Sequence, residues 1–599
     1  MSLLWEPKRS LAETDAIMCA PGTPFEMETR LVDGRIYRVY KNLSPSLRAF
    51  WLECVGKYSE KTYIVFEQDR LTYGEVHSRA LEAAAMFRDV YKVQKGDRVG
   101  ICSRNCPEYL IVFWACHMLG AVTVLANAWL PAQPLQHCLV NTQCKLILLD
   151  PERADRLEPD MINLRLRAGA TGVLVFMGSE RRGQWTEMEC FNASMIHWKL
   201  DVLSISKQHT ILEDHLELTP EDNATIIFTS GTTGLPKGVL STNRQFLTNV
   251  INVGAASIRA SLRRGEDIPS LPSTPQKGVL VGVPLFHVTG STSFSMLATN
   301  NGMKIILVRK WDAEQAATLI KTENIGVAGG VPAMVADLVR SSLVGYPLEG
   351  LLFGGSPSPD SLAKRAREAF PSATMSQAYG LSETNSVAVS IAAEDYLARP
   401  GSTGRTCPVN EIMIMHNNIN LGPGPNNVGE VWLRGPNVMK GYWGDPDATS
   451  KVLTSDGWLK TGDLGYLDTD GFLYIKDRLK DVIIRGGENI DSVSVENALY
   501  SDHRVMEAAA VAVPDERLGE LVAAVVYIDP QFCGQVTEAS LIALAKTRLP
   551  KFAVPVMVKV VNQPFKLTPS RKIMKDELRK IARHSWEERK AEIWASAKL

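Results

Sequence analysis

Residues 225–240 read TIIFTSGTTGLPKGVL. An apolar β-branched run enters Thr229, Ser230, Gly231, Thr232, Thr233 and Gly234, and Lys237 follows after Leu235-Pro236. Glycines alternate with hydroxyl side chains, so backbone N–H and side-chain O–H groups can converge on phosphate oxygens, with one ammonium at the loop's end. The pattern is not G-x-x-x-x-G-K-[ST], because Gly238 follows Lys237. An ordinary P-loop nucleotidase is therefore disfavoured.

Outward from this loop, short apolar runs alternate with longer amphipathic stretches: DRVGICS, CKLILLD, TGVLVFM, ATIIFTS, GVLVGVP, MKIILVR and IGVAGGV. Several are apolar almost throughout, as strands covered on both faces are. The alternation predicts an α/β protein with doubly wound sheets over much of the first 380 residues. From about 418 to 476, Gly, Pro and Asp punctuate short strands, which predicts an antiparallel, β-barrel-like subdomain. Beyond it, runs such as AAAVAVP and LVAAVVYI and a charged terminal helix predict a small α+β domain. The expected division is a large N-terminal domain over 1–479 and a small domain over 480–599. Residues 255–277 are rich in Ser, Pro and Arg and show no apolar period. They predict an exposed loop whose arginines face solvent.

Composition excludes several classes. The 599 residues carry 65 Lys+Arg against 66 Asp+Glu, a net charge of −1, without the basic excess of a nucleic-acid binder. The ten cysteines form no C-x-x-C pair, which predicts free thiols in a reducing compartment. The most apolar stretch, residues 110–125, contains His117 and is shorter than the ~20 residues of a membrane-spanning helix. It predicts a buried helix followed by a strand. The N-terminus lacks a secretory signal pattern.

In this setting the loop resembles that of the adenylate-forming superfamily, which includes acyl-CoA synthetases, aryl-CoA ligases and luciferases. Further motifs of that family follow in family order. They are VPLFHVTG at 283–290, FGGSPSP at 353–359, SQAYGLSET at 376–384, GEVWLRGPNVMKGYW at 429–443, the run at 457–490 that holds TGDLGY, KDRLKD and RGGEN, and PSRKIMKDELR at 569–579. The resemblance covers about residues 50–580. It implies a carboxylate attacking the α-phosphate of ATP, then a thiol displacing AMP, with ATP, Mg2+ and CoA as the small molecules used.

The resemblance also implies roles. Thr229–Lys237 wraps the phosphates. Gly355, Ser356 and Ala378 bind ATP or AMP and border the acyl pocket, and Tyr379 and Gly380 form the adenine side, with the Tyr379 ring on the base. Ser382 keeps a hydroxyl where the family usually has Thr. Glu383 is the Mg2+ carboxylate, and Asp463 and Arg478 hold the ribose. Lys572 is the catalytic cation, joined at the reacting groups by His287 and Thr232. Lys480, beside Asp481, is the hinge, and Gly486 and Gly487 pass the CoA arm. Two further positions depart from the family: Arg571 stands where Gly is common, and Asn243 where His is.

His287, Gly329 and Gly330 are expected in an acyl pocket with small or apolar walls, and no acid lies in 286–297 to pair an amino group. This predicts a hydrophobic acid, fatty ahead of aryl. A luciferase-like or acyl-AMP ligase and a non-catalytic binding protein are the alternatives. Twenty-seven residues follow Lys572, too few for a carrier domain, so free CoA is the expected acceptor. The tail Ala597-Lys598-Leu599 resembles a peroxisomal import tripeptide. It predicts an import receptor as partner and a peroxisomal location, with cytoplasmic as the alternative.

Overall fold

Val99 and Ile101 point to one side of their strand while Cys102 points to the other, and every neighbouring strand divides its apolar residues in the same way. That alternation builds the layers of the protein. The structure, a computed structural model, describes residues 5–176, 185–200, 211–212, 216–229, 235–268, 275–356, 358–568 and 571–596. Ser230–Gly234 and Ala597–Leu599 lie outside the described residues.

An eight-stranded sheet has a parallel centre formed by strands 98–102, 122–125, 146–149, 172–175 and 223–229. A nine-stranded sheet has a parallel centre that includes 278–281, 304–307, 325–330, 350–354 and 374–379, with antiparallel edges. One hydrophobic core joins them. It takes Val99, Ile101 and Leu148 from the first sheet, Val279, Val281 and Ile305 from the second, and Trp51, Phe87 and Trp114 from helices. The opposite faces, Ile147 and Val173 in one sheet and Leu280 and Ile306 in the other, are buried in separate cores. Continuous Val/Ile/Leu runs suit strands with no wet face. The apolar stretch at 110–125 becomes the buried helix Pro107–Met118 and the strand Val122–Leu125, as expected.

A third sheet of five antiparallel strands spans residues 411–478. It stays open, with strand 419–420 at one end and 473–478 at the other. The expected barrel-like closure is therefore corrected to an open sheet, because its end strands are not paired to each other. A last sheet uses only strands from Ile483 onward. It buries one face against helices Ser492–Tyr500 and Glu538–Lys546 and the other against helix Lys575–Ser596.

Residues 255–277 correct a second expectation. Ala255–Arg263 form a helix, and Arg259, Ser261 and Arg263 on it are buried. Arg263 holds Asp395 with two bonds, of 3.1 and 3.2 Å, and Arg259 pairs with Asp15 at 3.0 Å. The helix is amphipathic, but its buried arginines are neutralised by acids far away in the chain and so read in sequence as solvent-facing. These two arginines face inward. Among the described residues no helix is long and apolar enough to cross a membrane.

Candidate active site

Strand 223–229 turns back into strand 237–242 in antiparallel register, with Thr229 opposite Lys237. That pairing sets the two ends of the phosphate-loop motif side by side. The Lys237 ammonium lies 5.1 Å from the centre of the Tyr442 ring. The Tyr442 hydroxyl donates to Glu383 Oε1 at 2.8 Å. Lys237 and the Glu383 carboxylate thus meet through one aromatic side chain that the sequence motifs did not single out.

Glu383 sits in a short 3-10 turn, Ser382–Thr384, just after strand 374–379. Buried asparagines hold this turn. Asn437 Nδ2 donates to the Thr384 carbonyl at 2.8 Å, Asn385 Nδ2 donates to the Asn437 carbonyl at 2.9 Å, and Asn410 Nδ2 donates to Asn437 Oδ1 at 2.6 Å. These buried amide bonds tie the turn to the 410–437 segment, although Asn385 Oδ1 is buried with no hydrogen-bond partner among the described residues. Asn243, the departure from the family pattern, is also structural. Its Oδ1 accepts from Leu47 N–H at 3.0 Å and its Nδ2 donates to the Thr219 carbonyl at 3.2 Å.

Asp463 and Arg478 face each other in the register of the third sheet. Arg478 Nε lies 3.2 Å from Asp463 Oδ1, and the Tyr379 hydroxyl donates to Asp463 Oδ2 at 2.7 Å. Burial pushes the Asp463 carboxyl above its ordinary range, against the opposing pull of Arg478 and Tyr379. Tyr379, Asp463 and Arg478 therefore form one polar corner.

Lys572 arrives from the C-terminal unit and enters the same cleft. Two bonds to Thr568 hold its backbone: Thr568 N–H donates to the Lys572 carbonyl at 2.7 Å, and Lys572 N–H donates to Thr568 Oγ1 at 3.0 Å. Burial, then repulsion by Arg478, lowers the Lys572 ammonium to about 8, while Asp463 and Glu383 act in the opposite sense. A Cβ on Gly355 would lie 3.9 Å from Lys572 Cε. His287 is held down to about 3 by burial, with Lys572 adding repulsion. It is a neutral ring, and its Nε2 is buried with no hydrogen-bond partner among the described residues.

The remaining positions divide. Ser356, Ala378, Gly380, Ser382 and Gly330 line this cleft along with those named above. Gly329 is different: with φ +123°, a Cβ there would come within 2.2 Å of the Leu352 carbonyl oxygen. Its expected place on the acyl-pocket wall is corrected to a close approach of two strands, where only glycine fits. Gly330, at φ +143°, would direct a side chain toward Met334 and Val283. Gly486 and Gly487 form the two-residue turn of the hairpin 483–490, both with positive φ as such a turn requires. They are not among the residues lining the cleft. Lys480 is exposed between strands 473–478 and 483–485, and Asp481 beside it pairs with Arg579.

The donor set fits a magnesium nucleotide. One carboxylate, Glu383, faces a lysine and a cleft wide enough for phosphates. Mg2+ typically takes one or two protein carboxylates and completes its shell with phosphate and water. Among the described residues no group of three or more His, Cys, Asp or Glu forms a metal site independent of a ligand.

The sequence model described as AMP-binding enzyme matches residues 52–443, and that of the AMP-binding enzyme C-terminal domain matches 494–572. The chain is 30% identical over 528 residues to a long-chain-fatty-acid–CoA ligase of Bacillus subtilis, covering 85% of this chain and 90% of the relative. It is 29% identical over 528 residues to 4-coumarate–CoA ligase 3 of Arabidopsis thaliana, covering 86% and 87%. Among solved structures it is similar to the o-succinylbenzoate CoA synthetase of Bacillus subtilis in complex with its acyl-adenylate intermediate. The identity there is 26% and the TM-score 0.70, over 89% of this chain and 98% of that one.

Proposed function

The chain belongs to the AMP-binding enzyme family, and from that membership we propose an ATP-dependent acid–CoA ligase that acts on a hydrophobic carboxylic acid. The enzyme is an acid–thiol ligase. The substrate carboxylate oxygen attacks the α-phosphorus of ATP, the bond to the bridging oxygen breaks, and pyrophosphate leaves. The thiol of CoA then attacks the acyl carbon, AMP departs with the bonding pair, and the thiol proton is released.

The residues divide this work. Asp463 accepts from the ribose hydroxyls, with Arg478 and Tyr379 holding its carboxylate in place. Lys237 neutralises charge on the outer phosphates. Glu383 would hold Mg2+, and the bound ion would supply positive charge against the repulsion between the phosphates and the incoming carboxylate. Lys572 is a compact cation that touches both reacting anions. His287, neutral and with a free buried nitrogen, borders the place where the carboxylate enters. Lys480 is the point about which the C-terminal unit swings between the two half-reactions, which also makes it the boundary between the two units.

The observation that carries this reading is Lys572. It comes from a separate sheet system, yet it lies among Asp463, Glu383, Arg478 and His287. The hydrophobic substrate is supported by Phe286, Phe294, Leu297, Met303, Val327 and Met334, which line the same cleft as His287. Each methylene buried there is worth about 0.8 kcal/mol. Medium- and long-chain fatty acids are the first reading. An aryl acid with a polar substituent is the second, favoured by the hydroxyl pair Ser293–Ser386 at 2.8 Å in the same cleft.

The test is acid-dependent pyrophosphate release, with CoA ester formation, over acids from C2 to C18, benzoate and cinnamates. A fatty or aryl acid with higher kcat/KM than acetate is the expected outcome. Acetate as the best substrate overturns the hydrophobic assignment, and no pyrophosphate with any acid overturns the ligase.

A further inference from the structure

Arg571 is in the left-handed region, at φ +58°. A side chain other than glycine rarely adopts this conformation unless surrounding contacts hold it. The contact here reaches across the molecule. Arg571 NH2 lies 3.0 Å from Asp337 Oδ2, on the helix Pro332–Leu338 of the large unit. The same Asp337 oxygen accepts from Trp311 Nε1 at 2.8 Å, so the carboxylate is fixed before Arg571 reaches it. The left-handed turn makes neighbouring side chains diverge: Arg571 runs to Asp337 while Lys572 enters the nucleotide cleft.

A second acid lies close by. Glu507, on the strand Val505–Asp515 of the C-terminal unit, accepts from Phe565 N–H at 2.6 Å and feels the charge of Arg571. The charge of Arg571 therefore acts on a carboxylate in each unit, with the ion pair itself made to Asp337. If the units part, it loses Asp337 but keeps Glu507 beside it. A part-exposed cation that keeps a carboxylate in its vicinity and gains water can give up the ion pair at little cost.

We propose that Arg571 is a positioning residue whose ion pair with Asp337 latches the C-terminal unit onto the large unit with Lys572 in the cleft. The latch favours formation of the acyl-adenylate and opens before the thiol attacks. This rests on the ligase reading above and assigns a role to the position where the family commonly has glycine.

The informative variant is Arg571→Gly. It removes the cation and supplies the residue that this backbone conformation prefers, so the fold is preserved. Asp337→Asn is its counterpart on the other unit. Two rates are read for each: acid-dependent ATP–pyrophosphate exchange, and CoA ester formation from supplied acyl-adenylate. Both variants are expected to lose about 5- to 10-fold in exchange, the size of a modest coupling between units. The CoA step stays unchanged or becomes faster. The gap between unmodified enzyme and Arg571→Gly narrows as salt rises, because a part-exposed ion pair is screened. The double variant Asp337→Arg with Arg571→Asp recovers exchange relative to either single change.

Exchange by Arg571→Gly at the unmodified rate overturns the latch, as does equal loss in both half-reactions. Absence of exchange in the unmodified protein with every acid overturns the ligase reading, and the latch with it. The two failures are told apart by the unmodified protein alone.

Discussion

The two sides of the cleft are held in place in different ways. On the large unit, Thr229 and Lys237 are opposed by sheet register, Asp463 and Arg478 likewise, and Glu383 rests on a turn tied by buried asparagines. On the other side, Lys572 is carried by a turn between Leu567 and Ile573 whose tie to the large unit includes one ion pair, Arg571–Asp337. The first arrangement costs nothing to reorganise at the moment of reaction. The second can be withdrawn. A nucleotide site needs the former, because phosphate charge must be met by groups already in place. A cation needed for only one of two steps is better carried by an element that can leave.

The sharpest way to break this comparison is to remove the moving group. Lys572→Ala should slow adenylation by about 10²–10³, the usual loss for one preorganised transition-state contact. CoA ester formation from supplied acyl-adenylate should persist. Parallel loss of both would mean that Lys572 belongs to the fixed scaffold. Asp463→Asn tests the fixed side. A charge-assisted hydrogen bond is worth about 1.5–3 kcal/mol, so kcat/KM for ATP should fall about 10- to 100-fold. Here both half-reactions should suffer, since AMP is held through each.

The pH profile separates the sides further. Lys572 acts as its ammonium form, and burial lowers that group to about 8. Below this value it is charged and adenylation proceeds. As pH rises through it, kcat/KM for ATP should fall, by about tenfold at one pH unit above. The CoA step from supplied acyl-adenylate should lack this dependence. An adenylation profile flat to pH 10 would contradict it. The smallest effect is expected from Tyr442→Phe. It deletes one hydrogen bond to the Glu383 carboxylate, of the class worth about 1.5–3 kcal/mol, and water can take the vacated place. The apparent affinity for Mg2+ should weaken a few-fold, with little change in thermal stability. No change in the Mg2+ titration would place Tyr442 outside the site.

Much of the fixed side is legible in the amino-acid sequence. Strands buried on both faces read as unbroken apolar runs, and seven such runs quoted from the first 380 residues are strands. The motif loops sit at their ends, so a local pattern carries both fold and candidate site. The helix at 255–263 was not legible, because Arg259 and Arg263 are buried against Asp15 and Asp395. Charge satisfied by a distant partner looks, in sequence, like charge satisfied by water. Gly329 was misread for a related reason: a missing side chain looks the same whether it opens a pocket or lets two backbones touch.

The sequence by itself determined the layered α/β architecture and the identity of the groups that gather in the cleft. The architecture follows from apolar period and turn residues, and the phosphate loop from its hydroxyls and glycines, while the other groups follow from the motifs' resemblance to a known family. Only the tertiary structure decided that the sheet at 411–478 stays open, that Tyr442 joins Lys237 to Glu383, and that Arg571 reaches Asp337 across 234 residues of chain. These are pairings between residues far apart in sequence. Their free energy depends on distance in space, and no local period records it.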